Sequence, residues 1–77
     1  MKLKLFTAKW CGPCKQLKQW LENENIEGIE IVDIDTPEGS NEAAKVGIRG
    51  IPALLTEDKT VLTTNEVIRP YITGLNA

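Results

Sequence analysis

Trp10-Cys11-Gly12-Pro13-Cys14-Lys15 is the stretch from which the rest of this chain can be read. Its two cysteines are the only ones in 77 residues, and they stand three positions apart around Gly-Pro. If a helix begins at the first cysteine, one turn brings both sulfurs across a tight bend. A dithiol so placed can close to a small-ring disulfide and open again. Upstream, Lys2-Leu3-Lys4-Leu5-Phe6 alternates and then turns apolar, as a strand does. Downstream, Cys14, Leu17 and Leu21 recur at helical spacing. Pro13 fits the first helical turn, where its missing N–H would have had no partner. A strand feeding a dithiol at the start of a helix points to redox chemistry.

Composition narrows the alternatives. A chain of 77 residues predicts one domain, residues 1–77, with a small core. A net charge of −2 argues against a phosphate-binding nucleic-acid partner, which needs a basic face. No apolar run approaches the roughly 20 residues that span a bilayer, so no membrane partner is expected. The N-terminal alternation reads as a strand and not as a signal peptide, and a cytoplasmic location is expected. One short-range cysteine pair would hardly staple a secreted miniprotein. With no histidine in the chain, Cys/His zinc sites, Cys–His nucleophiles and Ser-His-Asp triads are excluded.

The remaining segments fall into an alternating order. Ile29-Glu30-Ile31-Val32-Asp33-Ile34 is rich in β-branched residues and predicts a central strand covered on both faces. Asp35 to Gly39 break it. A short helix is expected next, capped by Ser40 or Asn41 and ending near Gly47. A loop over 48–52 leads to a strand at 53–56, a turn at 57–59 and an antiparallel return at 60–63. The last helix is expected from near Asn65, with Val67, Ile68, Tyr71, Ile72 and Leu75 on its buried face and Pro70 kinking it or delaying its start. The expected architecture is α/β: β-α-β-α-β-β-α, with a four-stranded mixed sheet and helices on both faces.

At this point a resemblance enters. Trp10-Cys11-Gly12-Pro13-Cys14, followed by Lys15, resembles the active site of the thioredoxins. Val46-Gly47-Ile48-Arg49-Gly50-Ile51-Pro52-Ala53-Leu54-Leu55 is similar to the thioredoxin segment whose cis-proline faces that site. Ile31-Val32-Asp33-Ile34-Asp35 resembles the central strand of the family. The likeness covers nearly the whole chain and implies a compact thioredoxin-like fold. The chain lacks the extra N-terminal strand and helix of full-length thioredoxins. In size it is similar to the glutaredoxin-like core, including small redoxins that serve ribonucleotide reductase.

The resemblance implies roles, each with a plainer alternative. Cys11 is the expected nucleophile, because a helix N-terminus in a Cys-x-x-Cys site lowers a thiol pKa from about 8.5 to near 7 or below. Cys14 would resolve the mixed disulfide. A zinc-binding pair is the alternative, but zinc wants four ligands, so only a dimer pooling two pairs would serve; no resident metal or cofactor is expected. Gly12 and Pro13 shape the turn, and Trp10 stands as a substrate-contact rim or as packing. Lys9 and Lys15 are candidates for electrostatic support of the thiolate, or solvated flanks. A cis Ile51–Pro52 bond would present the Ile51 backbone to an extended substrate, whereas a trans proline would merely open a strand. Gly50 is expected to let that loop approach closely, and Ile48 with Ile51 to supply an apolar docking surface.

Two departures from the family bear on function. Leu5 and Ile31 stand where thioredoxins carry a buried aspartate and a facing lysine, and Thr7 replaces a tryptophan. The glycine pair by which glutaredoxins hold glutathione is absent from Thr63-Thr64-Asn65-Glu66, although Thr64 and Asn65 remain candidate contacts for glutathione or substrate.

The leading expectation is a monomeric thiol–disulfide oxidoreductase. It would reduce protein disulfides with electrons from a thioredoxin-reductase-like flavoprotein or another dithiol, with ribonucleotide reductase a candidate partner and glutathione a less favoured donor. The alternatives are a glutathione-dependent glutaredoxin and, from another class, a non-catalytic binding module or zinc-bridged dimer. An oxidant or isomerase is disfavoured by the Gly-Pro pair.

Overall fold

The computed structural model describes residues 3–75, so Lys2, expected to open the first strand, lies outside the described residues. The elements are β1 (Leu3–Thr7), α1 (Gly12–Asn23), β2 (Ile29–Asp33), α2 (Pro37–Lys45), β3 (Ala53–Leu55), β4 (Val61–Thr63) and α3 (Asn65–Leu75). They form a four-stranded sheet of order β2-β1-β3-β4, in which β1 and β2 are parallel and the other pairs antiparallel. This is the expected β-α-β-α-β-β-α arrangement.

Each face of the sheet has its own core. Leu3, Leu5 and Leu54 point to one side and pack with Leu17 and Leu21 of α1 and with Ile68 and Ile72 of α3. Phe6, Val32, Ala53 and Leu55 point to the other, where Ala43 of α2 meets them. The alternation of Leu5 and Phe6 along β1 thus distributes the helices, because successive strand side chains face opposite ways. Full burial of each large aliphatic side chain contributes about 1.5–3 kcal/mol before chain entropy is counted.

Three expectations are corrected. β2 is an edge strand and not the central one: its only partner among the described residues is β1. Ile31 is consequently 46% exposed, while Val32 is buried under α2. The isoleucines of this stretch reflect strand propensity: Ile29 packs partly against the α1/α3-side core and Ile34 against the α2-side core, while Ile31 is left open.

The cap of α2 is Thr36, not Ser40 or Asn41. Its hydroxyl oxygen accepts the Gly39 N–H at 3.0 Å, and Pro37 and Glu38 occupy the first turn. Thr36-Pro37-Glu38, which breaks the strand, therefore also starts the helix: cap, proline at the first position, acid beside the positive helix end.

On α3, Ile68 and Ile72 are fully buried and Tyr71 is half-buried, but Val67 and Leu75 are exposed. The buried stripe is the narrow i, i+4 pair, because α3 meets the sheet and α1 along one side only. The helix begins at Asn65 as expected and runs on through Pro70.

Candidate active site

β1 delivers the chain to the cysteines. Thr7 and Ala8 are buried, and the Cys11 N–H donates to the Ala8 carbonyl at 3.2 Å, which folds Lys9 and Trp10 out as a tight turn. Cys11 is itself the cap of α1, with extended backbone angles of φ −90° and ψ 109°. Its sulfur takes the place that a serine or aspartate oxygen usually fills, accepting the Cys14 N–H at 3.2 Å. Gly12 and Pro13 make up the first turn of α1 and are exposed. Cys11 and Cys14 are joined as a disulfide, with their Cα atoms 5.2 Å apart.

The two sulfurs differ in access. Cys11 keeps 6% of its surface, whereas Cys14 is fully buried. Ala8, Ile34 and Ile51 pack around the pair. Ile34 comes from just past the end of β2. Because β1 and β2 are parallel, their C-terminal ends lie at the same end of the sheet. Ile51 comes from the segment before β3, where the Ile51–Pro52 bond is cis and Pro52 is buried. Residues far apart in sequence are thus gathered within one apolar collar around Cys11.

Two grooves flank Ile51. One, of about 510 Å³, runs between Pro13, Pro52 and the turn carrying Thr64, Asn65 and Glu66. The other, of about 480 Å³, lies between Trp10, Ile34, Ile48 and α2. Trp10 is 68% exposed and its indole N–H donates to Asp35 Oδ1 at 3.3 Å, which props the ring at the rim of the second groove. Asn65 Nδ2 donates to the Pro13 carbonyl at 3.3 Å, linking the start of α3 to the cysteine turn.

Trp10, Pro13, Ile51, Pro52, Thr64 and Asn65 are therefore brought around the dithiol. Lys9 and Lys15 flank the cysteines, the Lys15 N–H donating to the Cys11 carbonyl at 3.1 Å; both are exposed and line neither of these two grooves. Gly50 also departs from expectation, since a Cβ built there would meet nothing within 4 Å and the loop's approach does not require glycine. Sequence reasoning missed Asp35, Glu66 and the structural task of Asn65. Asp35 had a usable signal, its place just past the C-terminal end of a parallel strand. Glu66 lies in the Thr63–Glu66 stretch already weighed as a contact for glutathione or substrate, but nothing local shows that α3 begins against Pro13.

No helix among the described residues is long and apolar enough to cross a membrane.

With this geometry in hand, known proteins supply a comparison. The thioredoxin family pattern matches residues 2–70. A thioredoxin of Bacillus subtilis is 39% identical over 69 residues, covering 84% of this chain and 66% of that protein. A protein described as a probable thioredoxin of Archaeoglobus fulgidus is 38% identical over 64 residues, covering 78% of this chain and 69% of its own length. Among solved structures, oxidized thioredoxin O2 of Arabidopsis thaliana matches with a TM-score of 0.70 at 26% identity, covering 97% of this chain and 72% of that one. Thioredoxin 1 of Thermosipho africanus matches in fold, with a TM-score of 0.67 at 23% identity, covering 99% of this chain and 91% of that one. The chain spans about half to two thirds of the length of several curated relatives that it matches.

Proposed function

This chain belongs to the thioredoxin family, and on that premise we propose that it reduces disulfides of other proteins through Cys11 and Cys14. The observation that carries this reading is the unequal access of the two sulfurs at the start of one helix. Cys11 keeps 6% of its surface and packs against Ile51, which lines both grooves, with its sulfur against the Cys14 N–H; Cys14 is fully buried. In the reduced protein that N–H, at the positive end of α1, favours the Cys11 thiolate.

The exchange balances in two steps. The Cys11 thiolate attacks a substrate disulfide; a Cys11–substrate S–S bond forms, the substrate S–S bond breaks, and the departing sulfur takes up a proton. Cys14, deprotonated, then attacks Cys11 Sγ; the intramolecular disulfide forms and the second substrate sulfur leaves as a thiol. Two electrons have passed from the dithiol to the substrate. A flavoprotein reductase of the thioredoxin-reductase kind, or another dithiol, would return them. In this reading Trp10, Ile51 and Pro52 contact the substrate, Gly12 and Pro13 shape the turn, and no resident cofactor takes part. Leu5 offers no carboxylate to accept the Cys14 proton, which passes to solvent or to the leaving sulfur. A cytoplasmic monomer that exchanges electrons with enzymes such as ribonucleotide reductase fits the same chemistry.

A glutathione-dependent role is the second reading, and the Pro13-side groove speaks against it. Among the described residues its lining carries one charged side chain, the carboxylate of Glu66, where the anionic tripeptide would need a cation.

The deciding experiment is a redox titration against defined thiol buffers, paired with turnover of a protein disulfide using a small dithiol as donor. Turnover with a potential near about −270 mV, the value thioredoxin shows, is expected. A potential of about −200 to −230 mV with turnover on glutathione would transfer the chain to the glutaredoxin role. Absence of any turnover would overturn both.

A further inference from the structure

The two grooves beside Ile51 differ in charge. The lining of the Trp10-side groove includes Arg49, whereas that of the Pro13-side groove includes Glu66. Lys9 and Lys15 line neither. Glu66 is exposed on the first turn of α3, and no ion pair is formed by its carboxylate among the described residues. The groove's lining offers apolar surface on Pro13, Ile51 and Pro52 beside the polar Gln16, Thr63, Thr64 and Asn65. The hydrogen bond from Asn65 to the Pro13 carbonyl joins the start of α3, which carries Glu66, to the turn of α1. A groove with apolar surface on Pro13, Ile51 and Pro52 and a carboxylate at its rim matches one kind of side chain. Lysine and arginine lay an aliphatic stem along apolar surface and keep the charged head at the water's edge.

We propose that the Pro13-side groove is a specificity subsite for a lysine or arginine close to the target cysteine in an extended substrate segment, with Glu66 as the selecting charge. This rests on the disulfide-reductase reading above. The substrate backbone would pass Ile51, so that one flank of its cysteine enters the Pro13-side groove and the other flank lies toward Arg49.

The test uses cysteine peptides carried as mixed disulfides with 5-thio-2-nitrobenzoate, in sets that differ only in a lysine, alanine or glutamate placed in turn at each flanking position. The reduced protein is mixed with each, and the second-order rate constant is read from release of the coloured thiolate. The lysine peptide is expected to react about two- to fivefold faster than the glutamate peptide on one flank, the worth of one exposed ion pair. That ratio should collapse toward one in strong salt and in Glu66→Gln, and invert in Glu66→Lys. Glu27→Gln removes the same net charge at a position that does not line this groove, and should leave the ratio intact. Equal rates for lysine and glutamate peptides at every position would overturn the subsite while leaving the reductase reading in place. So would a ratio that persists in Glu66→Gln, or one that falls equally in Glu27→Gln. Failure to react with any peptide would overturn the reductase reading and the subsite with it.

Discussion

Leu5 and Ile31 are register partners across the parallel β1–β2 pair, yet Leu5 is fully buried and Ile31 is 46% exposed. They share a face of the sheet, but Leu5 packs with α1 and α3 whereas on the outer strand only Ile29 reaches that core. Opposite tolerances should follow. Leu5→Ala is expected to cost about 2–4 kcal/mol through the cavity it leaves, whereas Ile31→Lys should stay within about 0.5 kcal/mol. Urea unfolding of both variants, with unchanged slope, would check the contrast; equal losses would contradict it.

The sealed position of Cys14 implies that only another sulfur of the same molecule can reach it readily in the folded state. Cys14→Ser should therefore halt at the mixed disulfide, leaving a covalent adduct of protein and substrate that mass spectrometry detects. Cys11→Ser should form no adduct and lose more than about 1000-fold in rate, as expected when a nucleophile is removed. Adducts forming through Cys14 in the Cys11→Ser protein would contradict this order of events.

Gly39 and Gly12 make opposite demands. A Cβ at Gly39 would lie 2.0 Å from the Asp33 carbonyl oxygen, which is backbone and cannot swing aside; one at Gly12 meets nothing within 4 Å. Gly39→Ala should destabilise by about 1–3 kcal/mol as α2 is pushed from the end of β2. Gly12→Ala should be neutral in stability or gain up to about 1 kcal/mol from helix propensity. Thermal unfolding of the two alanine variants separates these outcomes.

The β3–β4 turn holds an acid-sensitive contact. Asp58 Oδ1 accepts from the Thr56 hydroxyl and from the Thr60 N–H, and these bonds hold its carboxyl below the ordinary value of 3.8. The folded state thus favours the ionised form. The contribution is present above pH 3.8 and is lost as pH falls through the lower folded value. A carboxyl-carbon NMR titration should place the Asp58 midpoint below 3.8, and Thr56→Val should move it upward. A midpoint at or above 3.8 in the parent chain would contradict the hydrogen-bonded turn.

Legibility from sequence depended on how local each cause is. The helix at Cys11 could be read because its signals, a proline in the first turn and apolar residues at helical spacing, lie within its own residues. Its dithiol, the strands at Leu3 and Ile29 and the hairpin after Leu55 were legible for the same reason. The place of β2 in the sheet was not, because isoleucine density reports strand propensity and says nothing about how many neighbours a strand has. Thr36 was overlooked because proline after a strand reads first as a breaker, although it opens the next helix equally well. Within the site, the cysteines and Pro52 came from motifs. The links Asn65–Pro13 and Trp10–Asp35 span 52 and 25 residues, and only the folded chain creates them.

The sheet order has a last consequence, for how the molecule comes apart. β1, which leads to Cys11, and β3, which follows Pro52, are the inner strands, laced Lys4 to Leu55, Leu5 to Leu54 and Phe6 to Ala53. β2 and β4 are its rims. Rims open more readily than inner pairs, so wear proceeds from the outside in. The dithiol and the proline beside it hang on the seam that parts last, and on heating the chemistry should outlive the edges and vanish only with the final, global transition.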